Sequence, residues 1–380
     1  MDRSRLKVLY ISRGYTTHDH RFLKSFVGAG WAPIHLPLLE EKLDVRPLPE
    51  GVRTATWTTH RAKAGAPVVW RSRRNRLIEL LSDLRPDVII GGPVQSGAFV
   101  AALARAKPLV TVSWGTDLLV DAGVSPRSRF ITRYTLDNSA AVFGDCRAVR
   151  DAVHRYSSLT DDRIVTFPWG IDLTRFSPCP PALTIRAELG WAGNEVLIST
   201  RSWEPVYAVD VLVRAFALVR ERHPSARLIL LGDGSLERKI RQLISDLGLQ
   251  AFIHAPGRAP YESLPDYFRS ADAYVSAAVS DGTSMSLLEA MACGLPVVVS
   301  NSFGNLEWVR EGVNGALALP GDIESLSAAM LRVISHPDEA ARMRGANIST
   351  AQRHANWDAN FPGLVKLVER LARLADSDAW

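Results

Sequence analysis

Residues 280–300 read SDGTSMSLLEAMACGLPVVVS, and the order of residue types in that stretch decides what kind of fold surrounds it. Asp281 and Gly282 have loop character, and Thr283 or Ser284 can cap a helix. Met285, Leu288 and Ala292 then recur at helical spacing until Gly294 and Pro296 close the element. The apolar run PVVVS that follows reads as a buried strand. A helix start of this kind offers backbone N–H groups and the positive end of the helix dipole, so it favours a phosphate group over Thr283 and Ser284. Glu289 lies about five residues into the helix, roughly 7 Å along its axis. Its side chain leans back toward the start, where it reaches a ribose diol. Asp281, on the far side of such a diphosphate, is placed to accept hydrogen bonds from an attached sugar. The same residues also suit an ordinary glycine-bounded helix carrying one glutamate, which is common in α/β proteins.

Outward from this stretch, short apolar runs alternate with helical patterns in both directions. KVLYIS, WAPIHLPL, DVIIGG, PLVTVS and AAVFG come first, then VLIST, RLILLG, AFIHA, AYVSAA and PVVVS. That alternation predicts two doubly wound, Rossmann-like α/β domains. Between the two sets lies FPWGIDLTRFSPCPPA, where Pro168, Pro178, Pro180 and Pro181 interrupt regular structure, and a linker is expected there. The domains are expected over 1–175 and 176–355. In the remainder, 356–380, Leu364, Leu367, Val368, Leu371 and Leu374 form one helical stripe, and this last helix is expected to pack across the domain junction.

Length and composition are those of a globular protein with room for two cores: 380 residues, 47% hydrophobic and 22% charged. No run of eighteen or more uncharged apolar residues occurs, and MDRSRLKVLY leads straight into a strand, so a cytoplasmic location is expected. Cys146, Cys179 and Cys293 are far apart and lack metal-ligand or disulfide-framework spacing. The net charge of +5 is unevenly spread. Residues 1–175 hold 26 Lys/Arg against 17 Asp/Glu, giving +9, and the remaining 19 against 23 give −4. Arg71, Arg73, Arg74 and Arg76 are expected to open a helix whose Leu77, Leu80, Leu81 and Leu84 face a core. Cations there oppose the helix dipole, which points to an external anion such as a lipid headgroup or a phosphorylated acceptor. A merely solvated polar face fits the same residues.

Ligands of doubly wound sheets bind beyond the carboxyl ends of the strands, and two such sheets facing one another make a cleft. The residues after each strand are therefore the candidates. Gly14 follows the first strand, with His18, Asp19, His20 and Arg21 just beyond it. Asp117 follows VTVS, and Arg201 follows VLIST, where it is able to neutralise a diphosphate. Gly232 and Gly234 follow RLILL and let the chain turn close to the same ligand. Purely local roles are equally open: Asp117 as a cap, Arg201 as a partner of Glu204.

With these residues assembled, the chain resembles a retaining glycosyltransferase of family 4, with the two-Rossmann GT-B architecture. The resemblance is densest from Arg227 to Gly315: RLILLGDGSLERKI, AFIHAPGRAPYESLPDYFRSADAYVS, SDGTSMSLLEAMACGLPVVVS and NLEWVREGVNG. FPWGIDLTRF, ISTRSWEPVYAVDVLVRAF and SWGTDL extend it forward. The family's pair of acids with seven residues between them falls on Asp281 and Glu289. The resemblance implies that the first holds sugar hydroxyls and the second the ribose. It places the phosphate-binding arginine at Arg201, the glycine loop near Gly14 and the base near Gly257 and Arg258. It also makes 1–175 the acceptor side and 176–355 the nucleotide-sugar side. Four positions depart from the pattern. Asp281 is one methylene shorter than the usual Glu, and Tyr207 stands where a second phosphate-binding lysine is common. Trp114 replaces the histidine of a His-Gly-x-Asp sequence, and Trp169 replaces a linker Asn.

The chemistry so implied moves a hexose or similar sugar from a nucleoside diphosphate to an acceptor hydroxyl, with retention of configuration. The donor group is Gly14, Arg201, Gly232, Gly234, Arg258, Asp281, Gly282, Thr283, Ser284 and Glu289. Asp117, Arg201 and Asp281 form the catalytic set, and His18, His20 and Arg21 contact the acceptor. The acceptor is expected to be a lipid-linked saccharide, a polysaccharide or a small molecule, with peripheral contact to an anionic membrane through Arg71, Arg73, Arg74 and Arg76. No cofactor and no metal is expected; the one Asp-x-Asp, Asp376 and Asp378, sits in the tail. Two other readings keep the same ligand: sugar-nucleotide epimerisation or hydrolysis, and a non-catalytic sugar-nucleotide-binding subunit. Pyridoxal-phosphate chemistry is disfavoured because the second half holds only Lys239 and Lys366, and no nucleic-acid-binding module is present.

Overall fold

The computed structural model describes residues 5–39, 46–57, 67–179 and 183–375. Pro180, Pro181, Asp376 and Asp378 lie outside them. Among the described residues the chain forms two compact units. One comprises the chain up to Phe167 together with the segment from Phe361 onward, and the other runs from Pro168 to Asn360. The chain therefore leaves the first unit before the expected residue 175.

The first unit is built on β1 (Lys7–Ser12), β2 (Ala32–Pro37), β3 (Arg53–Thr54), β4 (Val88–Gly91), β5 (Leu109–Val112), β6 (Ala141–Gly144) and β7 (Ile164–Thr166). They form one sheet in the order β3-β2-β1-β4-β5-β6-β7, with every pairing parallel. Strands such as VIIG and AVFG are buried throughout, as expected where helices cover both faces. The second unit carries β8 (Val196–Ser199), β9 (Arg227–Leu231), β10 (Ile253–Gly257), β11 (Ala273–Ser276), β12 (Val297–Ser300) and β13 (Gly315–Ala318). Their order is β10-β9-β8-β11-β12-β13, again wholly parallel. Both sheets reverse direction of winding once, between β1 and β4 and between β8 and β11. At these two switch points the connecting helices pass to opposite faces, which opens a crevice at the strands' carboxyl ends.

Two local details differ from expectation: where the arginine cluster sits in its helix and how far the apolar stripe of the last helix runs. The helix bearing the arginine cluster runs Pro67–Leu84, so Arg71 to Arg76 sit beyond its first turn and do not oppose its N-terminal dipole. Arg73 Nη2 donates to Leu38 O at 3.0 Å and Arg76 pairs with Glu79 at 2.8 Å, leaving Arg71 and Arg74 as the exposed members of the group. The final helix, Pro362–Ala375, belongs to the first unit, with Leu364, Leu367, Val368 and Leu371 buried. Leu374, one turn further on, is 41% exposed and drops out of the stripe.

In the second unit the expected linker is pinned in place. Ile171 N donates to Ala355 O at 2.8 Å, and Trp169 stacks on Trp357 with ring centroids 6.2 Å apart. A Cβ at Gly170 would fall 1.9 Å from Trp357 N. Trp169 is thus 2% exposed and part of a packing joint.

Candidate functional site

At the second unit's switch point, β8 delivers Arg201 and β11 delivers the loop that carries Asp281. Arg201 Nη2 donates to Asp281 Oδ2 at 2.6 Å, and Nη1 donates to Ser284 Oγ at 2.6 Å and Ser286 Oγ at 3.1 Å. Below the guanidinium lies the Tyr207 ring, its centroid 4.0 Å from Cζ. The pair is enclosed, at 9% and 12% side-chain exposure. Burial raises the Asp281 pKa above the ordinary carboxylate value although Arg201 draws it down. Burial likewise works against the charge on Arg201, but Asp281 together with Tyr207 and Tyr274 holds the guanidinium above its usual pKa. The attraction between the two opposes the cost of burying each of them.

The helix anticipated from the sequence forms over Met285–Ala292, with Ser284 as its cap accepting from Leu287 N at 3.4 Å. Gly294, at φ +81°, ends it. Thr283 is buried beside the cap, and Glu289 is buried on the helix at 6% exposure. Burial, with the Glu289 carboxylate adding to it, pushes the thiol of Cys293, a member of the buried core cluster, up to about 12. The loop at Asp281 and Gly282 is also held from outside: a Cβ on Gly304 would lie 2.1 Å from Gly282 O.

Gly232 and Gly234 stand where two loops pack closely. At φ +123° and +156°, hypothetical Cβ atoms there would lie 2.4 Å from Arg201 O and 2.6 Å from Trp203 O. The glycines let the loop after β9 ride against the loop after β8, and so hold the backbone of Arg201. Gly232 N donates to Gly257 O at 2.9 Å, which brings in β10, and Arg258 pairs with Asp233 at 2.6 Å. Glu204, the alternative partner for Arg201, instead accepts from Ser235 N at 2.8 Å.

In the first unit, Asp117 is 3% exposed and its carboxylate is taken up by the chain. Oδ1 accepts from Ser113 Oγ at 2.7 Å, Trp114 N at 3.0 Å and Leu118 N at 3.1 Å, and Oδ2 accepts from Val94 N at 2.9 Å. It ties the loops after β4 and β5 together. Gly14 O accepts from Ser12 Oγ at 2.6 Å. Asp19 is consumed as well, in a capping box with Thr16 and a 2.8 Å bond from Tyr10 OH. His18 and His20 are partly exposed on the helix Thr17–Gly28, as is Arg21. His18 lies 5.5 Å from the Trp114 ring, and His20 Nδ1 is 2.7 Å from Tyr15 OH.

Sequence reasoning missed Ser286 and Tyr274, whose hydroxyls are 2.8 Å apart and complete the surroundings of Arg201. A serine inside the apolar turn MSLLEAM was the available signal.

Two family models match the chain: glycosyl transferases group 1 over residues 183–349 and glycosyltransferase family 4 over residues 35–175. Both matched models describe glycosyltransferase domains, one for each half of the chain. Arg201, Asp281 and Glu289 fall in the first matched segment and Asp117 in the second, whereas Gly14, His18, His20 and Arg21 precede both. Among curated proteins similar to this chain is the GDP-mannose-dependent alpha-(1-6)-phosphatidylinositol monomannoside mannosyltransferase of Mycolicibacterium smegmatis. It is 27% identical over 63% of this chain and 61% of its own length. The D-inositol 3-phosphate glycosyltransferase of Rhodococcus jostii is 30% identical over 57% of this chain. The chain spans 61% and 49% of the lengths of these two relatives. Sucrose-phosphate synthase of Thermosynechococcus elongatus superposes with a TM-score of 0.82 at 18% identity, over 97% of this chain and 99% of that one. HepE of Anabaena in complex with UDP-glucose gives 0.78 at 19%, over 98% and 100%. The fold is GT-B.

Proposed function

We propose that this chain transfers a sugar from a nucleoside diphosphate to an acceptor hydroxyl, with retention at the anomeric carbon and without a metal ion. One observation carries the reading: a buried arginine, braced by Asp281 and Ser284 against a capped helix start, stands at the switch point of a doubly wound sheet. Its Nε is buried without a hydrogen-bond partner, as are Ser199 Oγ and Thr200 Oγ1 just before it. Buried donors left unmet cost about 1–3 kcal/mol each, a cost that anionic oxygens would offset.

In the reaction, the bond from the anomeric carbon to the diphosphate oxygen breaks and a bond to the acceptor oxygen forms on the same face. The acceptor proton passes to a diphosphate oxygen. Arg201 and the start of the Met285–Ala292 helix stabilise the charge that gathers on the leaving diphosphate. Asp281 holds sugar hydroxyls, Glu289 the ribose, and the strand ends near Gly257 and Arg258 the base. The names of the relatives support a GDP- or UDP-linked hexose as donor and an inositol phosphate or phosphoinositide as acceptor. The excess of cations in residues 1–175 suits such an anionic acceptor. His18, His20 and Arg21 are its proposed contacts, and Asp117 the residue that shapes the loops beside it. Among the described residues no helix is long and apolar enough to cross a membrane. Peripheral contact with the inner face of an anionic membrane would rest on Arg71 and Arg74.

Incubation with GDP-mannose or UDP-glucose and a panel of inositol phosphates tests the reading. A new glycoside with the donor's anomeric configuration is expected. Donor loss without any acceptor would point to hydrolysis or epimerisation, and donor binding without turnover to a binding subunit.

A further inference from the structure

Tyr207 ends the short turn Pro205–Tyr207 that follows β8, at the position where the family resemblance places a cation. It brings no charge, yet it is packed against the side chain on which the diphosphate depends. The ring face lies 4.0 Å from Arg201 Cζ, a separation at which a ring quadrupole attracts a guanidinium, most strongly when water is excluded. Two features keep the ring there. Val279 N donates to Val206 O at 2.9 Å, so the turn is bonded to the loop that carries Asp281. Tyr207 also packs on the apolar cluster of the unit's core. Ring below, Ser284 and Ser286 on Nη1 and Asp281 on Nη2 together fix the guanidinium plane, leaving the Nε edge as its unmet side.

We propose that Tyr207 is a positioning residue: its ring locks Arg201 in one orientation, so that a single preorganised guanidinium takes the place of an arginine and lysine pair at the diphosphate. The inference rests on the nucleotide-sugar reading above and deepens it. A lysine is a mobile point charge on a flexible stem, whereas a clamped guanidinium presents its donors with little ordering left to lose on binding.

The test is calorimetric titration of GDP, UDP, ADP and dTDP into the wild type, Tyr207→Phe, Tyr207→Trp and Tyr207→Leu, with melting temperatures recorded for each. Tyr207→Phe and Tyr207→Trp keep a ring face and should bind the preferred nucleotide within about threefold of wild type, while Tyr207→Leu should lose about tenfold or more. In an Arg201→Ala background, Tyr207→Leu should lose nothing further, an outcome that a merely structural role would not produce. If Tyr207→Leu does not fold, Tyr207→Met carries the same comparison. Wild-type affinity in the folded Leu or Met variant overturns the inference alone, as does a loss that persists without Arg201. A wild type that binds none of the four nucleotides overturns both this inference and the reading beneath it.

Discussion

Asp281 carries two duties at once, and its substitution separates them. Replacing it with Asn leaves Arg201 charged and enclosed without a counter-ion, at the 9% exposure where hydration gives little relief. Loss of one partner from such a pair costs about 3 kcal/mol or more, so Asp281→Asn should unfold at clearly lower denaturant than wild type. Turnover should fall at least about tenfold as the braced arginine loosens. An unchanged denaturation midpoint would show that the pair contributes nothing. Asp281→Glu restores the charge with the chain length usual in the family, and should recover most of the stability. The two positions were legible in the sequence as polar residues following strands, but their pairing was not: the partner weighed for Arg201 was Glu204, which instead bonds Ser235. Asp117 was less legible. Its position was readable, but four donors from two loops claim its carboxylate, and loop-to-loop bonding leaves no mark at a fixed sequence spacing.

Whole elements behave differently according to what lies beside them, as two glycines of the second unit show. Gly248 has φ +65° and open space around it, whereas Gly232 has φ +123° and the carbonyl of Arg201 at 2.4 Å from any added Cβ. Gly248→Ala should cost about 1 kcal/mol through backbone strain alone. Gly232→Ala must also push the end of β8 away, and should cost about 3 kcal/mol or more while displacing Arg201. Equal melting temperatures for the two variants would mean that the crossing of these loops is soft. Among the strands, every apolar run picked out by pattern forms, since Val/Ile/Leu-rich runs buried on both faces carry a strong signal. The three that pattern did not reveal are β3, β7 and β13. The first is two exposed residues, and the second is only three residues long, with Ile164 alone fully buried. The last is GALA, where Gly315 is needed because Val297 O would lie 2.5 Å from a Cβ. Such strands are set by their neighbours in the sheet, not by their own hydrophobicity. The start of the helix Pro67–Leu84 was hidden for a similar reason: its first turn, PVVW, has neither a polar cap nor acidic residues to announce it.

At the scale of the molecule, the alternation of apolar runs with helical patterns foretold two α/β units, and the residue counts an uneven charge. It did not show that the chain returns to the first unit for its last helix, because an amphipathic stripe specifies a buried face and not the sheet beneath it. The first unit also buries titratable groups that couple its stability to pH. His35 on β2 is 2% exposed, with Nε2 2.9 Å from Ser12 Oγ and the rings of Tyr10 and Tyr15 at 5.8 and 5.9 Å. Burial lowers its pKa from 6.5 to about 4. As pH falls below 6.5 the unfolded chain takes up a proton that the folded chain refuses, so stability present at neutral pH is lost on the way down to about 4. The loss should reach about 2 kcal/mol between pH 7 and pH 5. Asp19 nearby is shifted the opposite way, its pKa raised by burial, and it favours the folded state on acidification. The measurement is therefore a difference: denaturant unfolding of wild type and His35→Gln across pH 4–7. Wild type should lose about 2 kcal/mol more than the variant between pH 7 and pH 5. Parallel curves would mean that His35 takes up its proton in the folded state as readily as in the unfolded one, with the Ser12 hydroxyl and the loop at Gly14 giving way to admit the charge.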